Sequence, residues 1–134
     1  MIVLKQGIQS NIHAALSIVN GIISSEETGP LLFQKAVPLI LKAKVSGNVC
    51  QKIADILIEA VEEASLDGYS TDIILNKCAE EIEKHYNRVI GEILDDLKSI
   101  TTDKDCERER RKIEYKVKRG YLEKNLAEML LQSI

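Results

Sequence analysis

Residues 70–100 read STDIILNKCAEEIEKHYNRVIGEILDDLKSI, and the reading of this stretch decides the fold. Ser70, Thr71 and Asp72 are all N-cap residue types, placed directly before the first apolar pair, Ile73 and Ile74. A side-chain oxygen there accepts a hydrogen bond from a backbone N–H that has no partner in the first helical turn. No proline follows anywhere in the chain, and Gly91 is the one glycine of the stretch. One apolar row runs Cys78, Ile82, Tyr86, Val89, Ile93, Leu97 and Ile100, in steps of four, four, three, four, four and three. This eleven-residue repeat corresponds to about 3.67 residues per turn, close to a straight helix and away from a left-handed coiled coil. A second row, Ile74, Cys78, Ile82, Tyr86, Ile90 and Leu94, lies beside it. A stripe two rows wide suits a bundle core better than a narrow two-stranded seam.

The stretch therefore predicts one long amphipathic helix along which the other segments pack. Its 31 residues would reach about 46 Å at about 1.5 Å per residue. A compact hundred-residue domain has a radius of gyration of only about 13 Å. Such a helix either bends at Gly91, where helical preference is about 1 kcal/mol weaker than with alanine, or it projects. A projecting apolar stripe needs cover. The expected protein interface is thus Ile90, Ile93, Leu94, Leu97 and Ile100 in the far half of the helix, with Leu126, Met129 and Leu130 in the tail. The partner would be another protein or a second copy, giving a homo-oligomer.

Upstream, Ser46-Gly47-Asn48 reads as a turn with Asn48 as N-cap, and a helix follows to about Leu66, ended by Asp67-Gly68. The short link to Ser70 predicts an antiparallel hairpin with the long helix, spanning residues 48–100. Residues 31–45 are apolar on most sides and contain Pro38, which costs a backbone hydrogen bond and forces a kink or break. A helix apolar all round is either central or covered by a partner. Ser24 to Gly29 reads as a polar loop, with Pro30 suited to a first helical position. Residues 2–23 keep helical spacing through Val3 or Leu4, then Ile8, Ile12, Ala15, Leu16, Val19 and Ile23, with His13 on the polar side.

Downstream, Thr101 to Asp105 is a polar break. Ile113 to Lys118 alternates in a strand-like manner, but no second strand is in evidence to pair with it, so helix is expected. Lys116, Lys118 and Arg119 before Gly120 suit a helix C-terminus. Tyr121 to Ile134 reads as a last helix.

The whole is one all-α domain over residues 1–134, an irregular bundle of five or six helices around the long one. With 45% hydrophobic and 29% charged residues it has ordinary globular composition. With one Phe, four Tyr and no Trp, its core must come from aliphatic side chains. No basic lead and apolar run of a signal peptide opens the chain, and residues 31–45 are too short to span a bilayer. The expected setting is cytoplasmic, or nuclear in a eukaryotic source, with no membrane partner. Cys50, Cys78 and Cys106 lack the spacing of a metal knuckle or redox pair, and the first two fall on apolar helix faces as inert thiols.

Charge is uneven. Residues 1–47 carry a net +2, residues 48–103 a net −8 and residues 104–134 a net +3, which sum to −3. The acidic hairpin and the mildly basic tail (104–134) are expected to lie against each other. The densest basic run, Arg108, Arg110, Arg111, Lys112, Lys116, Lys118 and Arg119, offers an alternative function in gripping nucleic acid by counterion release. Glu107, Glu109 and Glu114 interleave with it, and the chain is acidic, with a pI of 5.5. No catalytic, cofactor-binding or metal-binding constellation emerges. His13 and His85 lack the Glu-x-x-His context of a bundle metal site, and no glycine-rich phosphate loop exists. The expected function is a non-enzymatic protein–protein interaction module, an adaptor, assembly factor, inhibitor or small subunit, acting through apolar helix faces.

Overall fold

The computed structural model describes residues 2–24, 30–67 and 70–134. Six helices follow in order: α1 (Ile2–Ile23), α2 (Pro30–Val45), α3 (Gln51–Asp67), α4 (Thr71–Lys98), α5 (Asp103–Lys118) and α6 (Lys124–Leu131). They pack against one another in a bundle with no strand among the described residues. The expected loop at 25–29 and the stop at Gly68 lie outside the described residues.

The long helix starts where its cap dictates. Ser70 Oγ accepts from the Ile73 N–H at 3.4 Å, with Asp72 in the first turn and Lys98 in the last. Each charge is opposite in sign to the partial charge of the helix dipole at its end. Its 28 residues span about 42 Å. Buried positions recur from Ile74 through Cys78, Ile82, Tyr86 and Ile90 to Ile93, so the stripe is withdrawn from water over most of its length. α3 covers it as the other arm of the hairpin, α1 covers it on a second side, and α5 touches it more lightly. Each fully buried large aliphatic side chain contributes about 1.5–3 kcal/mol. α2 packs chiefly on α3, and α6 joins α1 to α5.

Residue chemistry explains several boundaries. Asn48 does not cap α3. Its N–H donates to the Ala43 carbonyl at 3.0 Å, and Gly47, at φ +82°, donates to the Lys44 carbonyl at 3.0 Å. Asn48 thus completes the C-terminal cap of α2, and α3 begins at Gln51. The Thr101–Asp105 segment is only partly a break, because α5 starts inside it. Thr102 Oγ1 accepts from the Asp105 N–H at 3.1 Å, while the Asp105 carboxylate accepts from the Thr101 N–H at 3.3 Å. That backbone bond, ahead of the bonds from Thr102 and the Thr101 hydroxyl, holds the Asp105 carboxyl below its usual range.

α5 is a helix through its alternating stretch and ends at Gly120, φ +80°. There the Tyr121 N–H donates to the Lys116 carbonyl at 2.9 Å and the Gly120 N–H to the Val117 carbonyl at 3.1 Å. The expected last helix is shorter than Tyr121–Ile134, because residues 121–123 run as a turn before Lys124.

Gly120 also accepts, through its carbonyl, from the Lys52 N–H at 3.0 Å. A Cβ at this position would sit 2.5 Å from Gln51 Cβ. Gly120→Ala therefore combines a left-handed backbone with a clash, and should lower unfolding free energy by about 2 kcal/mol or more. Urea titration at unchanged m-value measures it; a loss below about 0.5 kcal/mol would contradict this account.

Candidate docking surface

The side chains expected at an interface are mostly core. Ile90, Ile93, Leu126 and Leu130 are at most 4% exposed, while Leu94, Leu97, Ile100 and Met129 are half-buried. This corrects the expectation of an exposed stripe on the far half of the long helix. α1 and α5 pack against that helix, and the helix-length argument had no information about them. Ile90 and Leu94 do border a shallow groove of about 310 Å³ with Leu4, Ile8 and Gly91. Met129 and Leu126 instead pack on α1, where a Cβ on Gly7 would come within 2.8 Å of Met129 Sδ.

The basic run is largely self-paired. Arg108 pairs with Asp105, Arg111 with Glu107 at 3.8 Å, Lys112 with Glu109 at 3.2 Å, and Arg119 lies over the Tyr115 ring. Two pairs cross to the acidic hairpin: Lys112 to Asp96 at 3.8 Å and Lys116 to Glu92 at 3.5 Å. The basic tail therefore does lie against the acidic helix. These contacts are exposed, so each contributes about 0–1 kcal/mol. Arg110 and Lys118 are exposed.

Most of the exposed large hydrophobic side chains among the described residues lie elsewhere, on α2. This helix buries only Leu32, Ala36 and Ile40. Leu31 (47%), Leu39 (55%), Leu41 (42%) and Val45 (87%) stand in water. α2 leans on α3 and makes only light contact with α1, which leaves a groove between α1 and α2 of about 800 Å³. Its walls are Ile18, Gly21 and Ile22 of α1 and Leu32, Ala36, Leu39 and Ala43 of α2, with Lys35, Lys42, Ser17, Ser46 and Asn48 at the rim. No carboxylate lines it among the described residues. The sequence signal was present, since residues 31–45 are apolar on most sides. What it lacked was the choice between a central helix and a covered one. Pro38 is tolerated within α2, on the exposed side, and leaves the Gln34 carbonyl without the i+4 N–H donor.

A second polar feature lies inside the bundle. Glu123, at the N-cap position of α6, makes no side-chain cap bond; its carboxylate turns inward. Oε1 accepts from the Tyr86 hydroxyl and from the Cys50 N–H at 3.4 Å, while Oε2 is buried with no hydrogen-bond partner. Burial pushes the Glu123 carboxyl above its usual range, against the lowering effect of the Tyr86 bond. Burial also pushes the thiols of Cys50 and Cys78 up, to about 12 and about 11. Both remain protonated and non-nucleophilic at neutral pH. His85 is buried, and its Nε2 lies 2.7 Å from the Tyr121 carbonyl, where the neutral ring donates. Burial pulls its pKa down, outweighing that bond. Asn11 and Asn125 exchange amide hydrogen bonds at 3.1 and 3.0 Å, fastening α6 to α1. The cluster ties the C-terminal segment to α1, α3 and α4. No trio of metal-ligating side chains comes together among the described residues. None of the described helices is long and apolar enough to cross a membrane.

Comparison of the chain with protein-family models, with curated proteins and with solved structures finds no significant match.

The His85 environment sets a pH dependence. Its folded pKa lies below the unfolded value near 6.5, so between the two the unfolded chain binds more protons and stability falls with falling pH. His85→Gln keeps a donor for the Tyr121 carbonyl and removes that titration. Melting temperatures from pH 7.5 to 5.5 should fall less steeply in the variant than in the parent; parallel slopes would contradict the assignment.

Proposed function

We propose that this protein is a non-enzymatic interaction module whose docking face is α2 and the groove between α1 and α2. One observation carries the reading: a helix with three buried side chains leaves four large aliphatic ones in water beside an apolar groove. Exposed apolar patches of this kind favour association, because covering them removes about 25 cal/mol per Å² of unfavourable contact with water. The interface expected on the far half of the long helix thus moves to a different element, while the kind of function stays the same. Adaptor, assembly factor, inhibitor and small subunit all remain consistent with such a face.

Supporting the non-enzymatic part, the buried polar groups are committed to structure. Cys50 and Cys78 are held as thiols, and His85 engages the Tyr121 carbonyl. Gripping of nucleic acid by α5 is the weaker reading, because four of its cations already contact carboxylates in the same chain. Free, unbridged cysteines accord with a reducing cytoplasmic setting.

The test places a photo-crosslinking residue at Leu39 and, as a control, at the exposed Ile73 on the opposite hairpin. We expect an adduct of defined mass from position 39 in cells, absent from position 73 and abolished by Leu41→Asp. Equal adducts from both positions, or one indifferent to Leu41→Asp, would remove α2 as the docking face.

A further inference from the structure

The C-terminal segment, residues 120–134, is fastened to the bundle by a row of polar bonds. The Gly120 carbonyl accepts from the Lys52 N–H at 3.0 Å, the Tyr121 carbonyl from His85 at 2.7 Å, and Asn125 exchanges amide bonds with Asn11. Between these ties stands Glu123, only 3% exposed, whose Oε1 takes both of its donors while Oε2 has none. We propose that Glu123 is a proton-operated latch with two positions. Protonated, it stays inside and fastens the segment to α3 and α4; ionised, it turns outward and loosens it.

The inside position suits a neutral carboxyl. The Tyr86 hydroxyl and the Cys50 N–H both donate to Oε1. A neutral acid then leaves one O–H without an acceptor, whereas a carboxylate leaves charge without a donor in a place sealed from water, which costs more. The titratable groups facing it there are the Cys50 thiol at the start of α3 and the Tyr86 phenol of α4, and neither is a cation. His85 lies behind Tyr86, with its ring centroid 5.7 Å away, and Lys52 is drawn aside over the Tyr121 ring. Burial accordingly pushes the Glu123 carboxyl up.

The outside position suits an ionised one. Glu123 also lines a cleft of about 370 Å³ where the ends of α2 and α5 meet the starts of α3 and α6. Lys44, Lys118, Arg119 and Lys124 line the same cleft, and none of them is paired with a carboxylate among the described residues. Glu123 is the N-cap residue of α6 yet makes no side-chain cap bond, so the first N–H groups of that helix have no intrahelical acceptor. A carboxylate turned this way faces four cations and the positive end of a helix dipole. A neutral carboxyl gains little from either. Once Glu123 has left, the Tyr86 hydroxyl and the Cys50 N–H lose their acceptor. The segment then keeps its bonds to Lys52, His85 and Asn11 and the apolar seat of Leu126 and Leu130. A folded pKa raised above the unfolded one contributes stability below the unfolded value that is lost as pH rises through the folded value. The segment is therefore tightest in mild acid.

Hydrogen exchange of the full chain and of Glu123→Gln, from pH 5 to pH 8, tests the latch. The glutamine keeps an acceptor for Tyr86 and Cys50 and cannot ionise. His85, whose titration acts in the opposite direction, is present in both proteins and cancels in their ratio. Protection at residues 126–131, parent over variant, should fall at least about threefold across this range. It should also lie below protection at residues 82–90 throughout, since the segment opens by itself. A ratio without pH dependence would overturn the latch. Equal protection in the two regions would do the same, because the segment would then leave only when the whole bundle unfolds. The parent alone gives a second reading, whether or not the variant folds. The carboxyl-carbon NMR shift of Glu123 should titrate above the ordinary carboxylate range, and the Asn125 and Leu126 amide protons should move with the same midpoint. A carboxyl that titrates at the ordinary value, or amides that do not follow it, would remove the two positions.

Discussion

Everything in this bundle depends on keeping one face of α4 dry. The side chains from Ile74 to Ile93 form a two-row stripe too wide for a single neighbour, so α3 and α1 must flank it together. That requirement orders the rest. α3 is bound by its short connection to run antiparallel, α1 returns from the other end of the sequence, and α6 is drawn in over α1. α2 is the element left over. It leans on the outer side of α3 and has no second neighbour of comparable extent. Its water-facing leucines follow from the geometry of a stripe that needs two partners and not three.

Polar satisfaction at the C-terminal corner repeats the same logic in another form. Tyr86 belongs to the apolar stripe, yet its hydroxyl requires an acceptor once buried. Glu123 supplies it, at the expense of capping α6 and of drawing a carboxyl out of water. The upward push of burial on this carboxyl accords with its unpartnered second oxygen.

Local chemistry was legible in the sequence where one residue decides the outcome alone. Ser70 before Ile73, and Gly120 after a basic last turn, marked the ends of α4 and α5 correctly, because a cap or a left-handed residue acts within a few positions. Asn48 was misassigned since the same residue serves equally as a start or a stop, and only the bond to Ala43 decides between them. The two-row stripe of α4 was read correctly as a helix, but not the identity of its cover. Ile93 and Leu130 carry the same pattern whether a neighbouring helix or a foreign protein shields them. α2 was legible as apolar on most sides, and its place at the edge was not, because that depends on how much surface α1 and α4 have already taken up. The candidate groove inherits the same gap: its lysines are visible in the sequence, and its walls come from two helices.

The amide pair between Asn11 and Asn125 and the carboxylate bridge from Glu123 to Cys50 join residues more than seventy positions apart. Contacts of such separation form late, because the loop they close must first be ordered. During synthesis α1 emerges well before α6, and its face toward α6 stays uncovered until residues 122–130 follow. Over that interval the side of α1 around Gly7, later covered by Leu126 and Met129, stays open, on top of the permanently bare leucines of α2. Until residues 122–130 emerge the nascent chain keeps this surface open, and a ribosome stalled near the end of α5 would hold a species prone to aggregation or to chaperone capture.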